Sequence, residues 1–138
     1  MGLVSTVQQV TNSAPSGYDL VITDNQKTEN KPVTIAGGGS ETLGWNVPWY
    51  TDKNYKWPDR SLTFEFKQGK NSVCQASVWQ HGVGVLWEQG TEAPANPSTG
   101  YGPALAQEGA SFDITVTLNI PPSSQDAYTM TLANTSGT

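Results

Sequence analysis

The sequence predicts an all-β protein, a single-domain antiparallel β-sandwich or flattened barrel of about 8–10 strands spanning residues 1–138. Hydrophobic residues recur at every second position over most of the chain, which is the period of a half-buried strand. Gly-, Pro- and Asn-rich clusters punctuate those runs at short intervals. No helix of ten residues can be drawn with the 3.6-residue period.

Taken in order, the opening run LVSTVQQVT is ambiguous, because Val4, Val7 and Val10 stand three apart. Its β-branched content favours a strand carrying a bulge. YDLVITD sets Tyr18, Leu20 and Ile22 on one face and Val21 on the other. PVTIA offers Val33 and Ile35, and APSG and AGGGS mark turns on either side of this region. In SLTFEFK, Leu62, Phe64 and Phe66 point inward while Thr63 and Glu65 point outward. KQGKN then reads as the hairpin turn into SVCQASVW, where Cys74, Ala76 and Val78 share a face. VGVLWE offers Val83, Val85 and Trp87. SFDITVTLNI is the clearest strand, with Phe112, Ile114, Val116, Leu118 and Ile120 facing one way. IPPSSQDA turns the chain into YTMTL, with Tyr128, Met130 and Leu132 inward.

Composition excludes several function classes. The 138 residues suit one domain with one core. Hydrophobic residues make up 36% and charged residues only 14%, so polarity comes from hydroxyl and amide side chains that suit outer strand faces. Net charge is −5 and Arg60 is the one arginine. Nucleic acid is therefore not an expected partner, since phosphate binding needs clustered Lys and Arg. Cys74 is the single cysteine; it reads as a small buried hydrophobe, and no internal disulfide can form. No basic-then-apolar leader opens the chain, which points to a cytoplasmic protein or one released without a signal peptide. Gly2 and Thr6 fit the myristoylation pattern, but no polybasic second signal follows. Asn134 begins an NTS sequon at the C-terminal tail.

Catalytic sets are missing. His81 is the one histidine, and GGGSET around Ser40 lacks the final glycine of a nucleophile elbow. One His with one Cys cannot close a zinc site, so no metal or other cofactor is expected. Glu41, Asp52, Asp59, Glu65 and Asp113 are the carboxylates a glycosidase would need to pair, and each reads as a solvated side chain. TDN at Thr23, Asp24 and Asn25 suits a turn cap as well as a calcium ligand.

Two segments depart from plain scaffold. Residues 88–105 carry three prolines and three glycines, a long loop by composition. Residues 44–60, GWNVPWYTDKNYKWPDR, hold three of the five tryptophans and two of the five tyrosines. Trp45, Val47 and Trp49 alternate as an edge strand would, with Pro48 on the outward side; those rings belong either to the core or to a site. After Trp49 neither period holds. Tyr50, Asp52, Asn54, Tyr55, Trp57, Asp59 and Arg60 mix flat rings with hydrogen-bonding groups. Rings of this kind stack on the apolar face of a pyranose while the polar side chains meet its hydroxyls. They could equally cage a quaternary ammonium or sit at a bilayer interface. Trp79 and His81 in VWQHGVG form a second candidate contact set.

The size, acidity, lack of disulfides, tryptophan content and the opening VTNSAPSGYDLVITD resemble the small β-sandwich proteins of fungi and bacteria, the fruit-body lectins and the aegerolysins. The first resemblance implies glycan binding with a defensive or immunomodulatory role. The second implies recognition of membrane lipid, with pore formation alongside a larger partner. A non-enzymatic, lectin-like carbohydrate-binding protein is the expectation, with a glycan as partner and an aegerolysin-like lipid binder as the alternative. A homodimer is expected if the Thr-rich strand at residues 111–120 lies at a sheet edge.

Overall fold

The structure is a computed structural model that describes residues 6–24, 30–47, 62–81, 84–89, 111–120 and 128–134. Those residues form nine strands: β1 (Thr6–Asn12), β2 (Tyr18–Asp24), β3 (Val33–Ile35), β4 (Ser40–Asn46), β5 (Leu62–Gln68), β6 (Asn71–His81), β7 (Gly84–Gln89), β8 (Ser111–Leu118) and β9 (Tyr128–Asn134). They build a four-stranded sheet in the order β4-β1-β8-β9 and a five-stranded sheet in the order β3-β2-β5-β6-β7. All pairs are antiparallel except β1 with β8. The architecture is an all-β sandwich, with neither sheet closed into a barrel.

Alternation in the sequence becomes alternation in burial. Leu20 and Ile22 of β2, Leu62, Phe64 and Phe66 of β5, and Phe112, Ile114 and Val116 of β8 have no exposed surface. Burying one such side chain contributes about 1.5–3 kcal/mol, so these residues supply the main attraction between the sheets. Between β2 and β5, Leu20 sits opposite Phe66 and Ile22 opposite Phe64, so a one-residue slip would turn these side chains outward.

The three-residue spacing at the start of the chain has a simple cause. Between Val7 and Gln9 the register of β1 shifts against both neighbours, β4 and β8. The irregularity returns Val10 to the face occupied by Val7, and both are fully buried. On the β4 side, Gly44 adopts φ 63° within the irregular stretch, a conformation that glycine takes without a Cβ penalty. In the β5–β6 hairpin Gln68 pairs with Asn71, leaving Gly69 and Lys70 as the loop. Gly69 has φ 63° and Lys70 does not share the positive sign, which is the signature of a type II′ turn.

Two connections carry the chain between the sheets at one end, and Asn12 holds both. Its side-chain amide donates to the carbonyls of Tyr18 (2.9 Å) and Ile35 (2.8 Å), and its Oδ1 accepts from the Ala14 N–H (2.9 Å). Its backbone N–H donates to Gly39 and its carbonyl accepts from Gly38. One fully buried residue thus joins β1, the 13–17 turn, β2, β3 and the 36–39 turn. Gly37 packs so closely there that a Cβ would overlap the Pro15 carbonyl.

The Thr-rich strand lies elsewhere than a homodimer through it requires. β8 is interior, flanked by β1 and β9, so its backbone is already paired on both sides. β4 and β9 are the edges of that sheet.

Candidate functional site

Following the register from Asn12 sorts the strand termini into two ends. Asn12, Tyr18 and Ile35 share one end through the Asn12 hydrogen bonds. The β5–β6 turn joins them there, because Tyr18 pairs with Gln68. At the opposite end stand Thr6, Asn46 and Ser111 in one sheet and Asp24, Leu62 and Val78 in the other. β6 runs on past Val78 to His81, which pairs with Gly84 at the start of β7.

One of the two unusual segments of the sequence is anchored at this Leu62 end on both sides, and the other on one side only. The aromatic stretch leaves the four-stranded sheet after β4 and re-enters the five-stranded sheet at Leu62. Residues 90–110 leave β7 after Gln89, which lies opposite Ala76 with β7 running toward the Asn12 end, and return at the Leu62 end at Ser111 beside Thr6. At the Asn12 end, the connections at residues 13–17, 36–39 and 69–70 are short, the first two closed by backbone hydrogen bonds, and residues 119–127 join β8 to β9.

Of the expected contact residues, Tyr50, Asp52, Asn54, Tyr55, Trp57, Asp59 and Arg60 lie outside the described residues, as do Pro48 and Trp49. Trp45 and Val47 are described and belong to the core, with 7% and 1% exposure. β4 is an edge strand, as the alternation of Trp45 and Val47 implies. His81 is brought to the Leu62 end by its place in β6. Trp79 stands one residue beyond Val78, on the face of β6 turned away from the inter-sheet core, yet it is fully buried. A ring with no accessible surface offers a sugar no face to stack on, so in this arrangement Trp79 is a packing residue and not a contact residue.

The described carboxylates occupy separate places. Glu65 lies on the outer face of the five-stranded sheet, opposite Gln75, and Asp113 on the outer face of the four-stranded one. Packed sheets stand about 10 Å apart, and side chains on their outer faces diverge further, so these two cannot flank one glycosidic bond. Glu65 is fully engaged. Its Oε2 accepts from Ser72 Oγ (2.8 Å) and Gln75 Nε2 (2.9 Å), and its Oε1 lies 3.8 Å from Lys67 Nζ. Burial alone would raise its pKa, but the Gln75 and Ser72 hydrogen bonds and the Lys67 charge together hold it below the usual value. Asp24 is 8% exposed and its carboxylate accepts from Asn30 Nδ2 at 3.0 Å. Among the described residues no three His, Cys, Asp or Glu side chains gather as a metal site.

Tyr128 contributes a polar contact that the sequence pattern does not reveal. It is inward-facing in β9, and its hydroxyl crosses to the other sheet. The Phe64 carbonyl lies at 2.6 Å and the Cys74 carbonyl at 3.0 Å, so one proton is shared between two acceptors. Its ring also packs against Phe66 at a centroid distance of 5.3 Å. Burial pushes the Cys74 thiol above its ordinary value, only partly offset by its hydrogen bond with Tyr128. Burial and the neighbouring Cys74 likewise raise Tyr128, so both groups stay protonated at neutral pH.

No family model, curated protein or solved structure matches the chain.

Proposed function

We propose that the protein is a non-enzymatic, lectin-like carbohydrate-binding protein. Its glycan contacts come from Tyr50, Asp52, Asn54, Tyr55, Trp57, Asp59 and Arg60, with His81 beside them. Support comes from the way the aromatic stretch is tied to the scaffold. Its flanking strands β4 and β5 belong to different sheets, and both meet it at the end where β6 turns into β7 and β8 begins. Sandwich loops gathered at one end on a rigid frame are a common way to present binding residues. The composition supplies rings for stacking and amide, carboxylate and guanidinium groups for hydroxyls.

A glycan array probed with the labelled protein tests this reading. Saturable signal on a related group of glycans, competed by free sugar, is the expected result. Trp57→Ala should then weaken binding by about 1–3 kcal/mol, the scale of a buried aromatic anchor, with the far-UV spectrum unchanged. A blank array together with binding to phosphatidylcholine vesicles would replace the glycan by a lipid headgroup. Full affinity in the Trp57 variant would remove that ring from the site.

A further inference from the structure

The described strands present four sheet edges, and three of them carry features that discourage pairing with another chain. β3 is three residues long and follows Pro32. β4 carries Glu41 and has an irregular register around Gly44, whose φ is 63°. β7 carries Glu88. Short length, proline, irregularity and charge are the means by which natural edges avoid association.

β9 has none of them. It runs for seven residues, YTMTLAN, without proline or charge. Its register with β8 is unbroken from Phe112 opposite Asn134 to Leu118 opposite Tyr128. Thr129 and Thr131 are exposed on its outward side, while Tyr128 and Met130 are buried. Among the described strands, none pairs with its second edge. A hydrophobic-face contact has little to build on, because Ile120 is the single large hydrophobic exposed among the described residues.

We infer that β9 is a dimerisation edge: two copies pair β9 to β9, antiparallel across a two-fold axis, joining their four-stranded sheets into one continuous sheet. The chemistry of the edge selects a second copy. An isologous contact requires a self-complementary strand, and β9 becomes one when the axis passes through Thr131. All seven residues then find partners. Thr131 meets Thr131 of the second copy, Thr129 meets Ala133, Met130 meets Leu132, and Tyr128 meets Asn134. Because the period is two, each residue falls opposite one on the same sheet face: Met130 faces Leu132 on the inward side, and the two Thr131 side chains face each other on the outward side. Backbone N–H and C=O groups around Thr131, on the edge that no described strand pairs with, gain hydrogen-bond partners in the second copy. This inference stands independently of what the Leu62 end binds.

Sedimentation equilibrium on the full chain, with three variants, tests it. The expected mass is twice the 14.8 kDa of one chain. In T129K/T131K the new lysines are at exposed positions, but the two at position 131 oppose each other directly across the axis with those at 129 on the adjacent diagonals, and the dissociation constant should rise at least tenfold. In Thr131→Cys the two cysteines lie directly opposite, with Cα atoms about 4.5–5.5 Å apart and within disulfide reach. Mild oxidation should give a covalent dimer, whereas Thr117→Cys on interior β8 and the wild type with its Cys74 should not. A wild-type mass of one chain at 100 μM would overturn the inference. So would a dimer that Thr131→Cys fails to cross-link, since the contact would then be elsewhere. Should the double-lysine variant fail to fold, the cross-linking result decides by itself.

Discussion

Replacing Asn12 with alanine removes three side-chain hydrogen bonds at once, at a position with no exposed surface. The variant strands two carbonyls, Tyr18 and Ile35, and one N–H, Ala14, where solvent cannot easily replace the lost amide. An intramolecular hydrogen bond contributes about 0.5–1.5 kcal/mol net, and a buried group left without its partner costs about 1–3 kcal/mol. Some relaxation at the neighbouring exposed residues Ser13, Pro15 and Ser16 will admit water to part of the site. The expected loss is therefore about 3–5 kcal/mol, a large share of the ~5–15 kcal/mol stability of a typical domain. Urea denaturation followed by tryptophan emission would read this as a lower midpoint with an unchanged slope. Asn12→Asp keeps the acceptor for Ala14 but turns two donors into a carboxylate facing carbonyls, so it should be at least as damaging as alanine. A loss below 1 kcal/mol in both variants would refute the view that Asn12 clamps the two sheet-crossing turns together.

The same corner distinguishes two glycines. Gly37→Ala should cost at least 2 kcal/mol, about the scale of overpacking, because its Cβ would overlap the Pro15 carbonyl and come within 2.8 Å of the Ala14 oxygen, both backbone atoms. Gly38→Ala meets open space but sits at φ 86°, so about 1 kcal/mol is expected; equal losses by urea denaturation would contradict the steric account. Glu65 has its pKa depressed in the folded state. Its contribution is therefore present above the unfolded carboxylate value and disappears as pH falls through the lower, folded value. Glu65→Gln should flatten the acid limb of stability against pH while changing stability near pH 7 by no more than about 1 kcal/mol, and an unaltered acid limb would show that the Ser72, Gln75 and Lys67 contacts do not couple to folding.

Strands were legible wherever a regular face was buried. Phe112 to Leu118 alternates without interruption because β8 has a sheet partner on each side and a core on one face only. Val7 and Val10 were legible only as an ambiguity, since a bulge and a helix turn both bring residues three apart to one side. The edge position of β4 could be read from Trp45 and Val47. Sheet order could not, because alternation states which face is buried and not which strand lies alongside. That is why β8 reads equally well as edge or interior strand. Asn12 has a local signal, an Asx-type bond to Ala14 two residues on, but its bonds to Tyr18 and Ile35 depend on folding. Tyr128 looked like another inward ring, and its hydroxyl acquires a partner only once the second sheet is in place. Trp79 illustrates the converse limit: period two sets it on the opposite face from Val78, and its burial there is a tertiary fact that strand periodicity does not carry.

The proposed glycan site and the proposed dimer together fix a geometry with consequences. β9 runs from the Asn12 end at Tyr128, opposite Leu118, to the Leu62 end at Asn134, opposite Phe112. Antiparallel pairing of β9 with its copy therefore points the two Leu62 ends in opposite directions along the joined sheet. Two sites so arranged cannot both settle on one flat cell surface, which removes the avidity that parallel sites would gain. They can instead bridge two separate surfaces. The wild-type protein should thus agglutinate glycan-coated beads, and T129K/T131K should bind the same beads singly at unchanged intrinsic affinity. Agglutination retained by a monomeric variant would break the link between edge and function. Strong chelate binding to a single dense surface, with no bridging, would instead require a dimer whose two Leu62 ends point the same way, which an antiparallel β9 edge does not allow.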